Sequence, residues 1–385
     1  MIKVLTIIGA RPQIIKASAI SRAIRENYTN DITEIIVHTG QHYDQNMSEV
    51  FFEELQIPKP NYNLNVGSGT HGNQTAEMIK GIETIIINEK PNCIILYGDT
   101  NSTLAGAIAA SKLHCPIVHI EAGLRSYNKS MPEEINRIMC DHTATLLFSP
   151  TKTGYNNLIK EGFKTDTIPS FTADNPKIYH CGDIMFDNTL YFSNVASQKS
   201  DILQKENIKE SNYILSTIHR DNNTDNPERL SNIFKAMMDV ADKFDIDFVI
   251  PLHPRTSKLL DKNIFADVYS RLNSNRHLKI IEPVSFLDMI QLEQHSKMII
   301  TDSGGVQKEA YFLKKPCVIL RPQTEWVELV EHGSSIIADA DYNKITTAVE
   351  KLLSKVDFSF PSIFGDGKAA KFICGEIINT FMNEI

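Results

Sequence analysis

Three carboxylates in the first half of the chain stand where apolar runs end, the position from which a side chain can move a proton on a bound substrate. Asp99 follows Cys93–Tyr97 in Gly98-Asp99-Thr100-Asn101-Ser102-Thr103. Glu121 follows the next such run in His119-Ile120-Glu121-Ala122-Gly123-Leu124-Arg125, and Glu133 lies in Met131-Pro132-Glu133-Glu134-Ile135-Asn136-Arg137. Asp99 fits equally well as the cap of a helix near Thr103. Pro132 followed by two acids is also good first-turn chemistry for a helix. Glu121 is harder to read as surface decoration, because it belongs to the buried end of a strand.

Cations and anion-binding turns supply the complementary half of a site. Gly9-Ala10-Arg11-Pro12-Gln13-Ile14-Ile15-Lys16 sets Arg11 and Lys16 near a helix start, the end that favours negative charge, so both point to an anion there. The spacing is neither a Walker loop nor Gly-x-Gly-x-x-Gly, which argues against ATP hydrolysis and nicotinamide binding. In the second half, Ile218-His219-Arg220 and Leu252-His253-Pro254-Arg255 each end an apolar run with an imidazole and a guanidinium. Thr301-Asp302-Ser303-Gly304-Gly305-Val306-Gln307-Lys308-Glu309 then reads as a strand turning into a helix. Ser303, Gly304 and Gly305 would offer backbone N–H groups to phosphate, and Glu309, one turn on, a carboxylate to a pair of ribose hydroxyls.

The elements that must hold these residues alternate strand and helix. Apolar runs at Val4–Ile8, Glu34–His38, Cys93–Tyr97, Pro116–Ile120 and Leu146–Phe148 are interleaved with amphipathic segments such as Gln13–Arg25, His71–Glu89 and Thr103–Leu113. A second series, including Tyr213–Ile218, Phe248–Leu252, Leu278–Ile281, Met298–Ile300 and Cys317–Leu320, follows the polar stretch Thr165–Lys177. Strands apolar throughout are covered on both faces, so the expectation is α/β: two Rossmann-like, doubly wound parallel sheets in tandem. The 385 residues suit two domains, placed at 1–176 and 177–364, with an amphipathic segment at 365–385 packing back on the first. A net charge of −8 predicts no general affinity for nucleic acid or anionic membrane. No apolar stretch reaches membrane-spanning length, and the six scattered cysteines, without a Cys-x-x-Cys, read as core thiols in a reducing compartment. The cytoplasm is the expected location, and no metal site is expected.

Taken together and in order, Gly9–Lys16, Gly98–Thr103, Glu121–Arg125, Pro132–Arg137, His219–Arg220, His253–Arg255 and Asp302–Glu309 resemble the non-hydrolysing UDP-N-acetylglucosamine 2-epimerases over nearly the whole chain. The resemblance implies a GT-B fold with UDP bound in the interdomain cleft, a homodimer, and no added cofactor. It implies inversion of the sugar at C2 by loss of UDP to a glycal-like intermediate and its return. Asp99, Glu121 and Glu133 match the family's catalytic acids and His219 its catalytic histidine. Arg11 and Lys16 match its basic ligand positions, Ser303, Gly304 and Gly305 its phosphate turn, and Glu309 its ribose-binding acid.

The pattern departs from the family in three places. Trp326, the only Trp, stands where the simplest members carry Arg, and Glu325-Trp326-Val327-Glu328 resembles relatives that epimerise a UDP-2,3-diacetamido-2,3-dideoxyglucuronate for bacterial surface polysaccharide. Asp221-Asn222-Asn223 replaces the usual basic-acidic pair after His219-Arg220. Thr39-Gly40-Gln41-His42 resembles the region where some members bind a second, activating UDP-N-acetylglucosamine, without the downstream Arg near Gly67–Gln74. The same architecture admits a hydrolysing 2-epimerase, a glycosyltransferase and a non-catalytic UDP-sugar sensor.

Overall fold

A computed structural model describes residues 1–40, 52, 55–252 and 254–382 of the chain. The chain divides into two compact units, Met1–Asn188 with Ser362–Ile385, and Thr189–Pro361.

The first unit is built on a seven-stranded parallel sheet in the order β3-β2-β1-β4-β5-β6-β7. Its strands are β1 Ile2–Ile8, β2 Ile32–His38, β3 Tyr62–Asn63, β4 Cys93–Tyr97, β5 Ile117–Ile120, β6 Leu146–Ser149 and β7 Lys177–His180. The central strands are buried at every position except Lys3, as continuous apolar runs require. Leu5, Ile7, Ile94, Leu96, Ile117 and Leu147 pack with Met78, Ile82, Ala105 and Ala109 from the helices His71–Glu89 and Asn101–Lys112. The second unit carries a six-stranded parallel sheet in the order β10-β9-β8-β11-β12-β13. These are β8 Tyr213–Thr217, β9 Asp247–Pro251, β10 Leu278–Ile281, β11 Met298–Thr301, β12 Cys317–Ile319 and β13 Ser335–Ile337. Ile214, Phe248, Ile250, Met298 and Ile300 pack against Phe234, Met237 and Val349 on one of its faces.

The domain boundary read at 176/177 differs from this division. Lys177–His180 pairs in parallel with β6, Leu146 opposite Lys177, so the polar stretch before it is a connection inside the first unit. The division falls after Asn188, inside the helix Ile184–Lys199. The terminal helix Ala369–Phe381 belongs to the first unit, where Asp187 accepts hydrogen bonds from the Ala369 and Ala370 amides at 3.2 and 2.8 Å.

Each sheet reverses its strand order once, between β1 and β4 and between β8 and β11. Loops leaving the carboxyl ends of such a strand pair diverge to opposite faces and leave a crevice for ligand. In the first unit those loops carry Gly9–Lys16 and Gly98–Thr103, and in the second Ile218–Arg220 and Asp302–Gly305.

Candidate active site

In the first unit the carboxyl end of the sheet gathers acids and bases onto one another. Helix Arg11–Asn27 begins directly after β1 with Pro12 in its first turn, and it carries Lys16 to Glu121, with which Lys16 forms an ion pair. The side chains of Lys16 and Glu121 are only 14% and 12% exposed. The anion that Lys16 meets is therefore a carboxylate of the protein itself. Arg11 stands exposed at the helix start. Gly98 makes the junction possible: its φ is +60°, and a Cβ there would lie 3.0 Å from Glu121 Oε2 and 3.1 Å from Lys16 Nζ. Glu121 itself adopts φ +74°, its amide donating to the Phe148 carbonyl at 3.0 Å. A left-handed backbone at a non-glycine residue costs free energy, and such positions gather at functional sites.

Asp99 is not a helix cap. Thr100 caps the helix Asn101–Lys112, its side chain accepting from the Thr103 amide. The Asp99 carboxylate instead pairs with Arg137, whose guanidinium also holds Glu134 at 3.1 Å. Asn136 donates to the Asp99 carbonyl at 2.8 Å. Burial pushes the Asp99 carboxyl up, Arg137 and Lys16 pull it down, and Glu121 and Glu133 push it up again. The net direction is upward, so this carboxyl holds a proton more readily than a solvated Asp does.

The acid pair at the start of the helix Pro132–Asp141 divides its labour. Glu134 is 1% exposed and accepts from the Ser126 and Tyr127 amides, both at 2.9 Å, so it anchors the preceding loop. Glu133 is exposed, close enough to Asp99 to act on it electrostatically. Gln13, 1% exposed, accepts from the Gly9 and Ala10 amides at 3.0 and 3.2 Å and donates to the Tyr97 carbonyl and Thr103 hydroxyl at 3.1 and 3.0 Å.

In the second unit Asp302, fully buried, organises the crevice. It accepts from the His219 and Arg220 amides and from the Asn223 side chain, each at 3.1 Å. His219 Nδ1 lies 3.0 Å from Asp302 Oδ1, and the imidazole is 40% exposed. Burial raises the Asp302 carboxyl, yet His219, the Arg220 amide and Asn223 hold it below its ordinary value. Asn223 thus serves as a donor to this carboxylate. Ser303 caps the helix Gly304–Phe312 by accepting from the Val306 amide at 3.4 Å. Gly304 is buried and Gly305 exposed at its first turn, with Glu309 half-buried a turn on. A Cβ on Gly304 would come within 2.7 Å of Glu325 Oε1, and the same carboxylate pairs with Arg321 through Oε2 at 2.9 Å. His253 lies outside the described residues, as do Gln41 and His42.

Two features of this unit were not expected. Trp326 is 4% exposed and the Lys308 ammonium sits 4.1 Å from its ring centroid, so the chain's only Trp is a buried ring with a cation stacked on it. Close to Glu309, the carboxyl of Glu293 is fully buried. Burial raises it well above the ordinary carboxylate value, with the charge of Glu309 and a carboxyl–carboxyl hydrogen bond to it adding. The cost of ionising it appears above the unfolded-state value and grows as pH climbs toward the folded one. Glu293→Gln is therefore expected to stabilise the protein by about 1–2 kcal/mol at pH 8, an advantage that vanishes below about pH 4; melting curves of both proteins across that range check it.

Among the described residues no group of three His, Cys, Asp or Glu is arranged to hold a metal ion, and no helix is long and apolar enough to cross a membrane. All six cysteines are free thiols.

Two Rossmann-like parallel sheets, each with its polar residues at the carboxyl ends flanking a switch point, define a sugar-nucleotide enzyme of GT-B type. A family model for UDP-N-acetylglucosamine 2-epimerase matches residues 23–378. The UDP-2,3-diacetamido-2,3-dideoxy-D-glucuronate 2-epimerase of Pseudomonas aeruginosa is 47% identical over 96% of this chain and 98% of its own. The UDP-N-acetylglucosamine 2-epimerase of Methanocaldococcus jannaschii is 42% identical over 96% of this chain and 97% of its own. The crystal structure of the M. jannaschii enzyme in complex with UDP-GlcNAc and UDP superposes with a TM-score of 0.83, covering 98% of this chain and 99% of that one. The chain belongs to the UDP-N-acetylglucosamine 2-epimerase family, whose members are isomerases.

Proposed function

We propose that this protein interconverts UDP-N-acetylglucosamine and UDP-N-acetylmannosamine by reversible loss and return of UDP. The observation that carries the reading is the pairing of Asp99 and Glu121, at adjoining strand ends, with Arg137 and Lys16 from neighbouring helices, in a chain of this family. In the forward step a carboxylate takes the proton from C2 while the C1–O bond to UDP breaks, and its electron pair leaves with the diphosphate. The electron pair of the broken C2–H bond forms the C1–C2 double bond of the glycal. Return of UDP to C1 with protonation of C2 from the other face completes the inversion.

Asp99, Glu121 and Glu133 share the base, acid and intermediate-stabilising roles. His219, held by Asp302, assists the departing diphosphate. The Ser303, Gly304 and Gly305 turn at the start of a nine-residue helix receives phosphate, and Glu309 the ribose. Arg11 adds a cation for the ligand. Lys16 contributes through Glu121, whose charge it balances. The reaction needs no added cofactor, since proton transfer and diphosphate stabilisation are both within the reach of these side chains.

Incubation with UDP-N-acetylglucosamine in heavy water, followed by NMR, is expected to show deuterium at C2 and the manno epimer. Absence of exchange with any UDP-N-acetylhexosamine ends this reading. A second reading, the same inversion on a UDP-2,3-diacetamido-2,3-dideoxyglucuronate, is favoured by the P. aeruginosa relative and by Trp326. Exchange only on that sugar selects it. Accumulation of UDP with free N-acetylmannosamine would mark a hydrolase, and acceptor-dependent release of UDP a glycosyltransferase.

The same reading carries a homodimer acting in the cytoplasm in precursor supply for surface polysaccharide. It is supported by family membership and by six thiols kept free.

A further inference from the structure

Beneath the loops that bear Asp99 and Glu121 runs a line of buried charge that no step above uses. His119, on β5 and fully buried, lies 2.7 Å through Nδ1 from Asp141 Oδ1 and 2.9 Å through Nε2 from the Gly98 carbonyl. Asp141, also fully buried, holds the Gly123 amide at 3.1 Å and the Arg125 guanidinium at 2.8 Å through its other oxygen. Arg125 continues to Glu161 through two bonds of 2.6 and 2.7 Å. Every group on Asp141 Oδ2 is a donor, one of them a buried guanidinium, so Asp141 is a carboxylate and can only accept. The Gly98 carbonyl can only accept as well. A histidine that faces an acceptor through each ring nitrogen must donate from both.

The contacts reach the site from two directions. Gly98 immediately precedes Asp99, and Gly123 lies two residues past Glu121. Gly98 turns at φ +60° and Gly123 at +79°, backbones with freedom to move that these two hydrogen bonds remove. At Gly123 a Cβ would stand 2.3 Å from the Gly154 carbonyl, so this loop is also pressed against the start of the helix Lys152–Lys160.

We propose that His119 is a positioning residue for the reaction, a permanent imidazolium that pins the Gly98 carbonyl and, through Asp141, the Gly123 amide, and so fixes the spacing of the Asp99 and Glu121 carboxylates. The inference rests on the epimerase reading for its kinetic half only. Other titratable and charged groups facing His119 are Cys140, on the same helix as Asp141, and Arg125 beyond the carboxylate. Burial alone would favour neutral His119; the thiol and the carboxylate reverse this and raise it well above its ordinary value.

Two measurements test it. In the wild-type protein labelled with nitrogen-15 at histidine, the His119 resonances, assigned by their loss in His119→Gln, are expected to show both ring nitrogens protonated from about pH 6 to about pH 9, across the ordinary histidine range. A titrating or singly protonated ring overturns the proposal without touching the epimerase reading. In His119→Gln, which can satisfy one of the two acceptors but not both, kcat for C2 exchange is expected to fall by about 10²-fold with KM for the UDP-sugar within about threefold, the signature of misplaced reacting groups. Unchanged kcat sinks the proposal, as does a rise in KM with kcat preserved. If H119Q does not fold, Asp141→Asn carries the kinetic test with the same outcomes. A wild-type protein that exchanges no C2 proton removes the epimerase reading instead, and leaves the nitrogen-15 result standing.

Discussion

Asn in place of Asp99 is expected to lower kcat for C2 exchange by about 10²- to 10⁴-fold while the Kd for UDP stays within about twofold. Asn matches Asp in shape and cannot take up a proton. The substitution is clean because Thr100, not Asp99, caps the following helix, so the fold does not depend on the lost charge. Arg137 keeps Glu134 at 3.1 Å when its second partner is gone, and Asn136 still holds the backbone carbonyl of residue 99. Calorimetric titration with UDP alongside the deuterium-exchange rate checks both halves. A D99N protein retaining more than a tenth of wild-type turnover would remove Asp99 from the proton-transfer step. A protein equally indifferent in every respect would be a UDP-sugar sensor.

Replacing Asp302 by Asn should cost both turnover and stability. The native carboxylate receives donors only: two amides, the Asn223 side chain and the His219 Nδ1 edge. An Asn amide turns one acceptor into a donor and meets at least one of those groups N–H to N–H. Because Nδ1 faces the carboxylate, the native charge favours a proton on Nδ1 and leaves Nε2 as the ring's other polar edge. Removing the corresponding buried Asp behind a catalytic His costs about 10⁴-fold in kcat elsewhere, which sets the upper end of the loss expected here. Leaving the crevice donors without their charge should cost about 3–5 kcal/mol of stability. The folded value of Asp302 is depressed, so its stabilising contribution is present above the unfolded carboxylate value and lost as pH falls through the folded one. Wild-type stability should therefore decline on acidification more steeply than that of D302N. Parallel acid limbs in denaturant melts would contradict this account.

Much of the fold was legible because parallel strands buried on both faces must be apolar from end to end. Of the strands from β1 to β12 that read as such runs, all but the edge strand β10 are inner ones. The strands that escaped notice lie at sheet edges: Tyr62–Asn63 is two residues long, Lys177–His180 closes a polar stretch, and Ser335–Ile337 has three residues. Edge strands are half solvated and short, so they leave no continuous apolar signal. The misplaced domain boundary follows from the second of these, since a polar approach to an edge strand looks like a linker.

At the site, residues just past strand ends could be singled out from sequence, because a parallel sheet aims its carboxyl ends at ligand. Their partners could not. Arg137 meets Asp99 from 38 positions away, and Asp302 meets His219 from 83, separations that no local spacing encodes. His119 and Gln13 were hidden differently, one inside an apolar strand and the other in the first turn of a helix, where each passes for a tolerated exception. A polar residue in an otherwise apolar strand, one position before a strand end, was the available signal for His119. Glu293 gave none, since an acid on an amphipathic helix is ordinarily solvated.

The fourfold grip of Gln13 binds the segment leaving the first strand to the segment leaving the fourth, so neither can drift without dragging the other. An amide here acts as a rivet through two plies: the cationic helix start and the acidic strand tip are compelled to travel as one piece, and any slackness at this end of the sheet must arise beyond them.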